Sequence, residues 1–566
     1  MTDRVTQYAH DVINGKTIAG RSVRLACERH INDMQRDDFP YIFDNAKANK
    51  IFEFAESLIL AEGYVATNIK LAPFQAFIFG SLYGWVHRDT GYRRFRESYV
   101  QVSRQQGKSM MNGVLGLQIS NFDGYQYARV GIGAPKLRQS KIVYREMAKM
   151  INADPDLAEL FKIQEYKSEI QALSTNGVVE ALTRDSDDDG MRYNLGIIDE
   201  FHEHPTNDIY SSIKYGQRML PQCLLSVITT AGDDFNSPCY TMYEYCLKVL
   251  ENPSSNDQLF IYIAQMDKDD DIWDSKNWIK CMPLLEAYPD MLESIITDGN
   301  KAKAIGGKEL NDFITKVFNI WQVSGDTLFI NVDNWKNKCK SDLTLEDMRG
   351  RKAYVGIDLS GGGLGDLSSV GLEFVLDDNQ FFIHSMSFMA REHLDKHIQS
   401  DHAPYNRWAD NGLLELTDGY KTDFKRIISY LQDIRDKYEI DYEMICYDRH
   451  NINMLLSDLS KFGCPVVDIV QSARNLSEAT LDFRLSVDEG KILYNKNSEL
   501  LTWSVINAKL EYNSFKEAKI IKNSDKTKRI DAVDSIINAH KMAMVSKNHI
   551  NINDLITEDS LKEMGW

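Results

Sequence analysis

Residues 98–115 read SYVQVSRQQGKSMMNGVL, and the fold turns on them. A short run rich in aromatic and β-branched residues leads into a polar turn, and the turn opens onto a helix-like apolar stretch. Val102-Ser-Arg-Gln-Gln-Gly-Lys-Ser109 therefore lies between a strand and the first turn of a helix, where backbone N–H groups and the helix dipole hold phosphates. Lys108 is expected to reach the β- and γ-phosphates of ATP and the Ser109 hydroxyl to meet Mg²⁺, with Gln105, Gln106 and Gly107 forming the cradle. Arg104 within the loop is placed to stabilise transition-state charge in cis. The usual pattern has glycine where this chain has Val102, so the loop alone does not decide the matter.

About 90 residues further on, Leu195-Gly-Ile-Ile-Asp-Glu200 ends an apolar strand in two carboxylates. Asp199 suits Mg²⁺ held through water beside the phosphates, and Glu200 suits a general base that polarises the attacking water. The next strand runs into Thr229-Thr-Ala-Gly232, small polar residues where a γ-phosphate sensor or coupling segment belongs. Upstream, Gln75 in LAPFQAFIFGSLYGW offers an amide to the adenine edge.

Further out the alternation continues. ARVGIGA, NLGIIDE and LLSVITTAG are short buried-type strands between helical stretches, the signature of a parallel sheet covered by helices. Residues 1–70 read as a helical lead-in, 71–325 as the ATPase domain with a helical stretch over 274–323, and 326–350 as a linker. Residues 351–566 form a second α/β block, with strands AYVGIDLS, SVGLEFVL, QFFIHSMSFM and EMICYD. Helices are expected at Asp423–Lys437, Trp503–Leu510 and Ile530–Met544.

This second block carries its own carboxylates. Asp358 interrupts an apolar strand, where an unpaired charge is costly, and Asp366 follows a glycine-rich turn. Asp448 ends a later strand, and Asp531 and Asp534 open the last helix, one helical turn apart. Such carboxylates repel unless divalent cations bridge them, and two cations clamp both oxygens of an in-line phosphodiester displacement. In this arrangement Asp358 bridges both metals, Asp448 binds one, and Asp531 or Asp534 completes the set. Hard oxygen ligands suit Mg²⁺ and Mn²⁺ alike. The basic stretch Lys516–Arg529 suits phosphate contacts that position DNA without reading sequence.

The net charge of −18 argues against tight passive binding of nucleic acid, but less against enzymes that process it through a local groove. No run approaches the ~18 apolar residues of a membrane span, and the N-terminus lacks the apolar segment of a signal peptide. The eight cysteines form no CxxC pair, which points away from a zinc site or disulfide framework and towards a reducing cytoplasm.

An ATPase followed by a ribonuclease-H-like nuclease resembles the terminase large subunits of tailed bacteriophages over nearly the whole chain. SRQQGKS, GIIDEFHEH, SVITTAGDD, VGIDLS, YDRHN, NIW at 319–321 and KRIDAVDSIINA carry the resemblance. It implies a P-loop ATPase of the ASCE type joined to a ribonuclease-H-like domain. It also implies ATP-driven packaging of double-stranded DNA into a procapsid and cutting of concatemers. The implied partners are a small terminase subunit, the portal protein, and further copies in a pentameric ring at the portal vertex in the host cytoplasm. Thr229–Ala231 would couple hydrolysis to motion. Two rival readings are a helicase-like ATPase-nuclease of repair or host defence, which needs a second helicase core, and a portal-associated ATP binder, which needs no general base.

Overall fold

In the N-terminal stretch, apolar residues at three- and four-residue steps produce helices α1 (Arg4–Ile13), α2 (Arg21–Met34) and α3 (Asn45–Ser57). The Asp3 and Asp44 carboxylates cap α1 and α3 by accepting first-turn N–H groups. The computed structural model describes residues 3–60, 66–182, 191–322, 329–359, 367–401, 403–449, 452–513, 515–522 and 528–546. Among them no helix is long and apolar enough to cross a membrane. The chain divides into two compact units, Met1–Gly325 and Asp326–Trp566.

The first unit is built on β1 (Glu97–Gln101), β2 (Arg129–Gly133), β3 (Phe161–Gln164), β4 (Glu169–Ala172), β5 (Val178–Leu182), β6 (Leu195–Asp199), β7 (Leu224–Thr229) and β8 (Leu259–Ile263). They form one sheet in the order β8-β1-β7-β6-β2-β5-β4-β3. From β8 to β5 all neighbours are parallel, and β4 and β3 extend the sheet antiparallel. Every residue of β6, β7 and β8 is buried, as expected for strands covered on both faces. One strand, β7, separates the strand before the phosphate loop from the strand ending in Asp199, which is the ASCE arrangement. The lead-in helices share a core with this sheet: Val5, Val23 and Phe52 belong to the same apolar cluster as Val100, Ile197 and Ile263.

The second unit holds β9 (Lys340–Ser341), β10 (Lys352–Asp358), β11 (Ser368–Val375), β12 (Phe381–Ala390), β13 (Leu414–Thr417), β14 (Asp441–Tyr447), β15 (Val466–Asp468) and β16 (Ile492–Asn495). The sheet order is β9-β16-β12-β11-β10-β14-β15, with β13 beside β12. The three consecutive strands β10, β11 and β12 are antiparallel, while β14 and β15 run parallel to β10, the ribonuclease-H-like topology. The closing helix α4 (Asp531–Ser546) lies across β10 and β11 because Gly356 and Gly371 face each other there. A Cβ on Gly356 would meet Ser535 O at 1.9 Å, and one on Gly371 would meet the Ile536 nitrogen at 2.9 Å.

Three expectations need correction. Residues 326–350 are not a linker where described: Phe329 and Trp335 are fully buried in the second unit's core, Trp335 stacks on Tyr494 at 4.3 Å, and β9 joins the sheet. The helix expected over Trp503–Leu510 instead spans Glu499–Asn507. The chain then enters a hairpin, β17 (Ala508–Tyr512) with β18 (Ala518–Lys522), which takes up part of the presumed basic loop. The stretch 274–323 is not one helical run; two 3₁₀ turns precede helices at Met291–Ile305 and Gly307–Lys316, and Val317–Gln322 is irregular.

Candidate active sites

In the first unit the parallel registers pair Gln101 with Thr229 and Ile228 with Asp199, so β1, β7 and β6 end at one edge of the sheet. The loop after β1 turns through Gln105 (φ +62°) and Gly107 (φ +78°) before the helix Lys108–Leu117 begins. A side chain on Gly107 would strain that left-handed backbone and crowd Gln75 Nε2 at 2.7 Å. Lys108 is nearly buried and donates to the carbonyls of Val102 and Ser103, each at 3.3 Å. Burial lowers the Lys108 pKa, opposed by Glu200 and Asp199 and reinforced by Arg104. Ser109 is half-buried at the head of the helix, and Arg104 and Gln105 are exposed.

Asp199 closes β6, 4% exposed, and burial together with the Glu200 charge pushes it up to about 7 against the pull of Lys108. Glu200 follows in the left-handed region, φ +47° and ψ +49°, uncommon for a residue with a long side chain. Its Oε2 is buried without a hydrogen bond, 3.4 Å from His202 Nδ1. His202 escaped the sequence reading, although it stands in GIIDEFHEH. Its backbone N–H and its Nδ1 both meet Thr229 Oγ1, at 3.0 and 3.1 Å. The Thr229 hydroxyl also donates to Thr230 O, so Thr229 links the His202 backbone and ring to the segment after β7. Burial, then the charges of Lys108, Lys316 and Arg104, pull His202 down to about 3, which keeps it neutral. The neighbouring His204 bonds Asp199 O at 3.0 Å.

Thr229 and Thr230 are fully buried beside this group, and Val102 donates to Thr229 O at 3.1 Å, joining the phosphate loop to β7. Gln75 departs from the expectation of an open amide. It is 2% exposed, its Oε1 accepts the Ala72 N–H, and its Nε2 donates to Gln106 O, so it props the loop from behind. Gln106 likewise faces inward, with Oε1 accepting from Leu284 N at 2.9 Å. The structure thus gathers Lys108, Asp199, Glu200 and Thr229 and leaves Gln75 supporting the loop.

In the second unit, β10 and β14 run parallel with Ile357 opposite Tyr447, so Asp358 and Asp448 leave neighbouring strand ends together. Helix α4 brings Asp531 and Asp534 to the same place. Burial, then Asp531 and Asp534, raise Asp358 well above the carboxylate range, and Asp448 adds to the effect. Asp534 is pushed up to about 8 by burial and Asp531, with Lys522 and Lys519 of the hairpin pulling the other way. Lys522 Nζ stands 3.8 Å from Asp531 Oδ1, while Asp531 Oδ2 is buried with no hydrogen-bond partner. Asp366 lies outside the described residues.

Among the described residues no three acidic, His or Cys side chains already stand as a metal-holding cluster. The donor set nevertheless fits a divalent cation: hard oxygens, mutual repulsion that favours protons, and one orphaned buried oxygen. Three further contacts hold α4. Asn538 donates to Ile357 O at 3.4 Å, and Arg529, just before the helix, donates to Asp401 Oδ2 at 2.9 Å. His540 lies between Glu373 (2.6 Å) and Asp482 (3.1 Å), fully buried, and these acids raise it to about 9 against desolvation. Arg529, Asn538 and Ile357 stand inside the motifs KRIDAVDSIINA and VGIDLS, but Asp401, Glu373 and Asp482 stand in none, so the pairings they make could not be read from the sequence.

A family model described as the terminase large subunit ATPase domain matches residues 73–248, and one described as the terminase large subunit endonuclease domain matches residues 254–547. Protein YmfN of Escherichia coli (strain K12) is 24% identical over 394 residues, covering 66% of this chain and 83% of that protein. The terminase large subunit of Enterobacteria phage HK97 is 23% identical over 444 residues, covering 77% and 84%. The crystal structure of the HK97 bacteriophage large terminase aligns over 88% of this chain and 99% of that chain, at 20% identity and a TM-score of 0.49. The chain belongs to the terminase large subunits: a DNA-packaging ATPase that uses nucleotide and divalent metal, and an endonuclease that cuts concatemers.

Proposed function

We propose that ATP is hydrolysed at the edge where β1, β7 and β6 end, and that DNA is cut where Asp358, Asp448 and α4 meet. The observation that carries the first assignment is the convergence of Lys108, Asp199 and Glu200 across a sheet with one strand between them. Lys108, with the backbone of Gln105–Gly107, holds the phosphates; Ser109 and Asp199 hold Mg²⁺, which neutralises phosphate charge. Glu200 accepts a proton from the attacking water, and its buried, unbonded Oε2 is available for that purpose. Arg104, exposed in the loop, stabilises charge developing on the γ-phosphate. Thr229–Ala231 carry the change in phosphate state away from the site. Gln75 contributes by supporting the loop.

At the second site Asp358, Asp448 and Asp531, with Asp534 and Asp366 as further ligands, would hold Mg²⁺ or Mn²⁺, which when bound would supply Lewis-acid activation of the phosphodiester and water. Lys519 and Lys522 offset the acidity locally and steer the DNA backbone. In the cell the subunit would act in the host cytoplasm as a ring, of five copies, on the procapsid portal. A small terminase subunit would select the viral DNA. A helicase reading finds no support: among the described residues a single sheet carries a phosphate loop.

The test uses supercoiled plasmid with Mg²⁺ or Mn²⁺ and, in parallel, ATP turnover with double-stranded DNA. Asp358→Asn is expected to abolish cutting and keep ATP hydrolysis, and Glu200→Gln to do the reverse. Cutting that survives Asp358→Asn, or turnover that survives Glu200→Gln, would refute the corresponding assignment.

A further inference from the structure

The end of the helix Gly307–Lys316 and the irregular stretch after it touch the nucleotide site at several separate points. Lys316 O accepts the N–H of Arg104 in the phosphate loop at 2.9 Å, and Gln322 N donates to Gly232 O at 3.4 Å. Trp321 Nε1 donates to Gln101 Oε1 at the end of β1. Between them, Asn319 is fully buried and held at φ +58°, a backbone region that Asn tolerates better than most residues. Its Oδ1 accepts the Ala231 N–H at 2.7 Å, and its Nδ2 donates to Ala264 O at 2.6 Å. One carboxamide therefore ties the segment after β7 to the end of β8. A side chain of this size that both accepts and donates is required; aspartate lacks the donor and leucine lacks both.

From Ala231 the connection runs back to the hydrolytic residues. Thr229, two residues earlier, accepts the His202 backbone N–H and pairs with the His202 imidazole, and that imidazole stands 3.4 Å from the unbonded Glu200 Oε2. We propose that Asn319 is a positioning residue for ATP hydrolysis, holding Thr229–Gly232 so that Thr229 and His202 stay against Glu200. This rests on the assignment of hydrolysis to Lys108 and Glu200. Asn319 bonds Ala231 and Ala264 and none of the residues assigned to hold the phosphates, Lys108 and Gln105–Gly107, so its loss acts on turnover and spares binding.

The experiment compares full-length wild type, Asn319→Gly and Asn319→Asp in DNA-stimulated ATP turnover and in binding of a fluorescent ATP analogue. Glycine keeps the left-handed backbone and removes both bonds. Aspartate keeps the acceptor for Ala231 but sets an oxygen against Ala264 O. Both variants are expected to lose at least tenfold in kcat, with KM and analogue affinity within twofold of wild type. A kcat within twofold of wild type overturns the proposal. So does a loss of analogue binding that parallels the loss of turnover, since that would mark a purely structural role. Glu200→Gln is measured alongside: if it hydrolyses ATP at the wild-type rate, the underlying site assignment fails, whatever Asn319 does.

Discussion

A methyl group at position 356 has no room, and the consequence can be worked through to catalysis. In Gly356→Ala the new Cβ would stand 1.9 Å from Ser535 O and 2.7 Å from Ala539 N, both backbone atoms of α4. Real Cβ contacts essentially never fall below 3.0 Å, so helix and strand must separate by about 1.1 Å, the difference between these distances. Backbone cannot rotate away as a flexible side chain would. Overpacking of this kind costs roughly 1–3 kcal/mol, which lowers the melting temperature of the second unit without unfolding it. The larger effect is on chemistry, because α4 carries Asp531 and Asp534. Misplacing reacting groups by about 1 Å costs roughly 100-fold in rate. The assay is metal-dependent plasmid cutting beside DNA-stimulated ATP turnover and a thermal melt, all on one preparation. Cutting should drop by about two orders of magnitude while ATP turnover stays near wild type. Plasmid cutting within twofold of wild type would refute the claim that these glycines set the position of the nuclease carboxylates.

Raised carboxylate pKa values give the metal-free protein an inverted pH dependence. Asp534 retains its proton in the folded chain up to about 8 and burial beside Asp531 and Asp534 raises Asp358 as well, whereas unfolded aspartates release theirs at about 4. Their contribution to stability is therefore greatest on the acid side and is lost as pH rises through that window. Without metal, the melting temperature of the second unit should fall between pH 6 and 8.5, and added Mg²⁺ should restore it most at the alkaline end. A flat profile, equally unaffected by Mg²⁺, would contradict a shared carboxylate site. Trp335→Ala removes a buried ring stacked on Tyr494 and should destabilise the second unit by about 3–5 kcal/mol, read by urea unfolding; a change below 1 kcal/mol would return this stretch to the status of a linker. Gly107→Ala forces a side chain into left-handed backbone at a cost of about 1–2 kcal/mol. ATP should bind roughly tenfold more weakly, measured by titration of a fluorescent analogue, and unchanged affinity would argue against the loop as the phosphate cradle.

The strands that carry chemistry were legible because each is a buried, uninterrupted apolar run ending in a motif, as in NLGIIDE and AYVGIDLS. The edge strands were not. Phe161–Gln164 and Glu169–Ala172 mix polar residues into short pieces, and the hairpin strand Ala508–Tyr512 follows a helix with no glycine or proline to mark the change. Aromatic residues in 329–350 were mistaken for linker content because their stacking partners, Phe483 and Tyr494, lie some 150 residues away in sequence. At the nucleotide site the order of Lys108, Asp199 and Glu200 could be read from spacing. What surrounds them could not, since the role of His202 depends on Thr229, and that of Asn319 on Ala231 and Ala264, through contacts between distant segments.

Kinship and folding draw different seams in this chain. The endonuclease match begins at residue 254 and so takes in β8, yet β8 pairs with β1 from Leu259 opposite Glu97 to Ile263 opposite Gln101. A gene divided at that boundary would strip the ATPase of its border strand and bare the backbone of β1, the strand that feeds the phosphate loop. The nuclease half would inherit LFIYI, an apolar ribbon in search of a partner and therefore an invitation to aggregate. Division between Gln322 and Phe329 leaves both sheets whole. Exchange of motors and nucleases between viruses is expected to leave viable offspring at that later boundary, about 70 residues beyond the place where resemblance alone would put it.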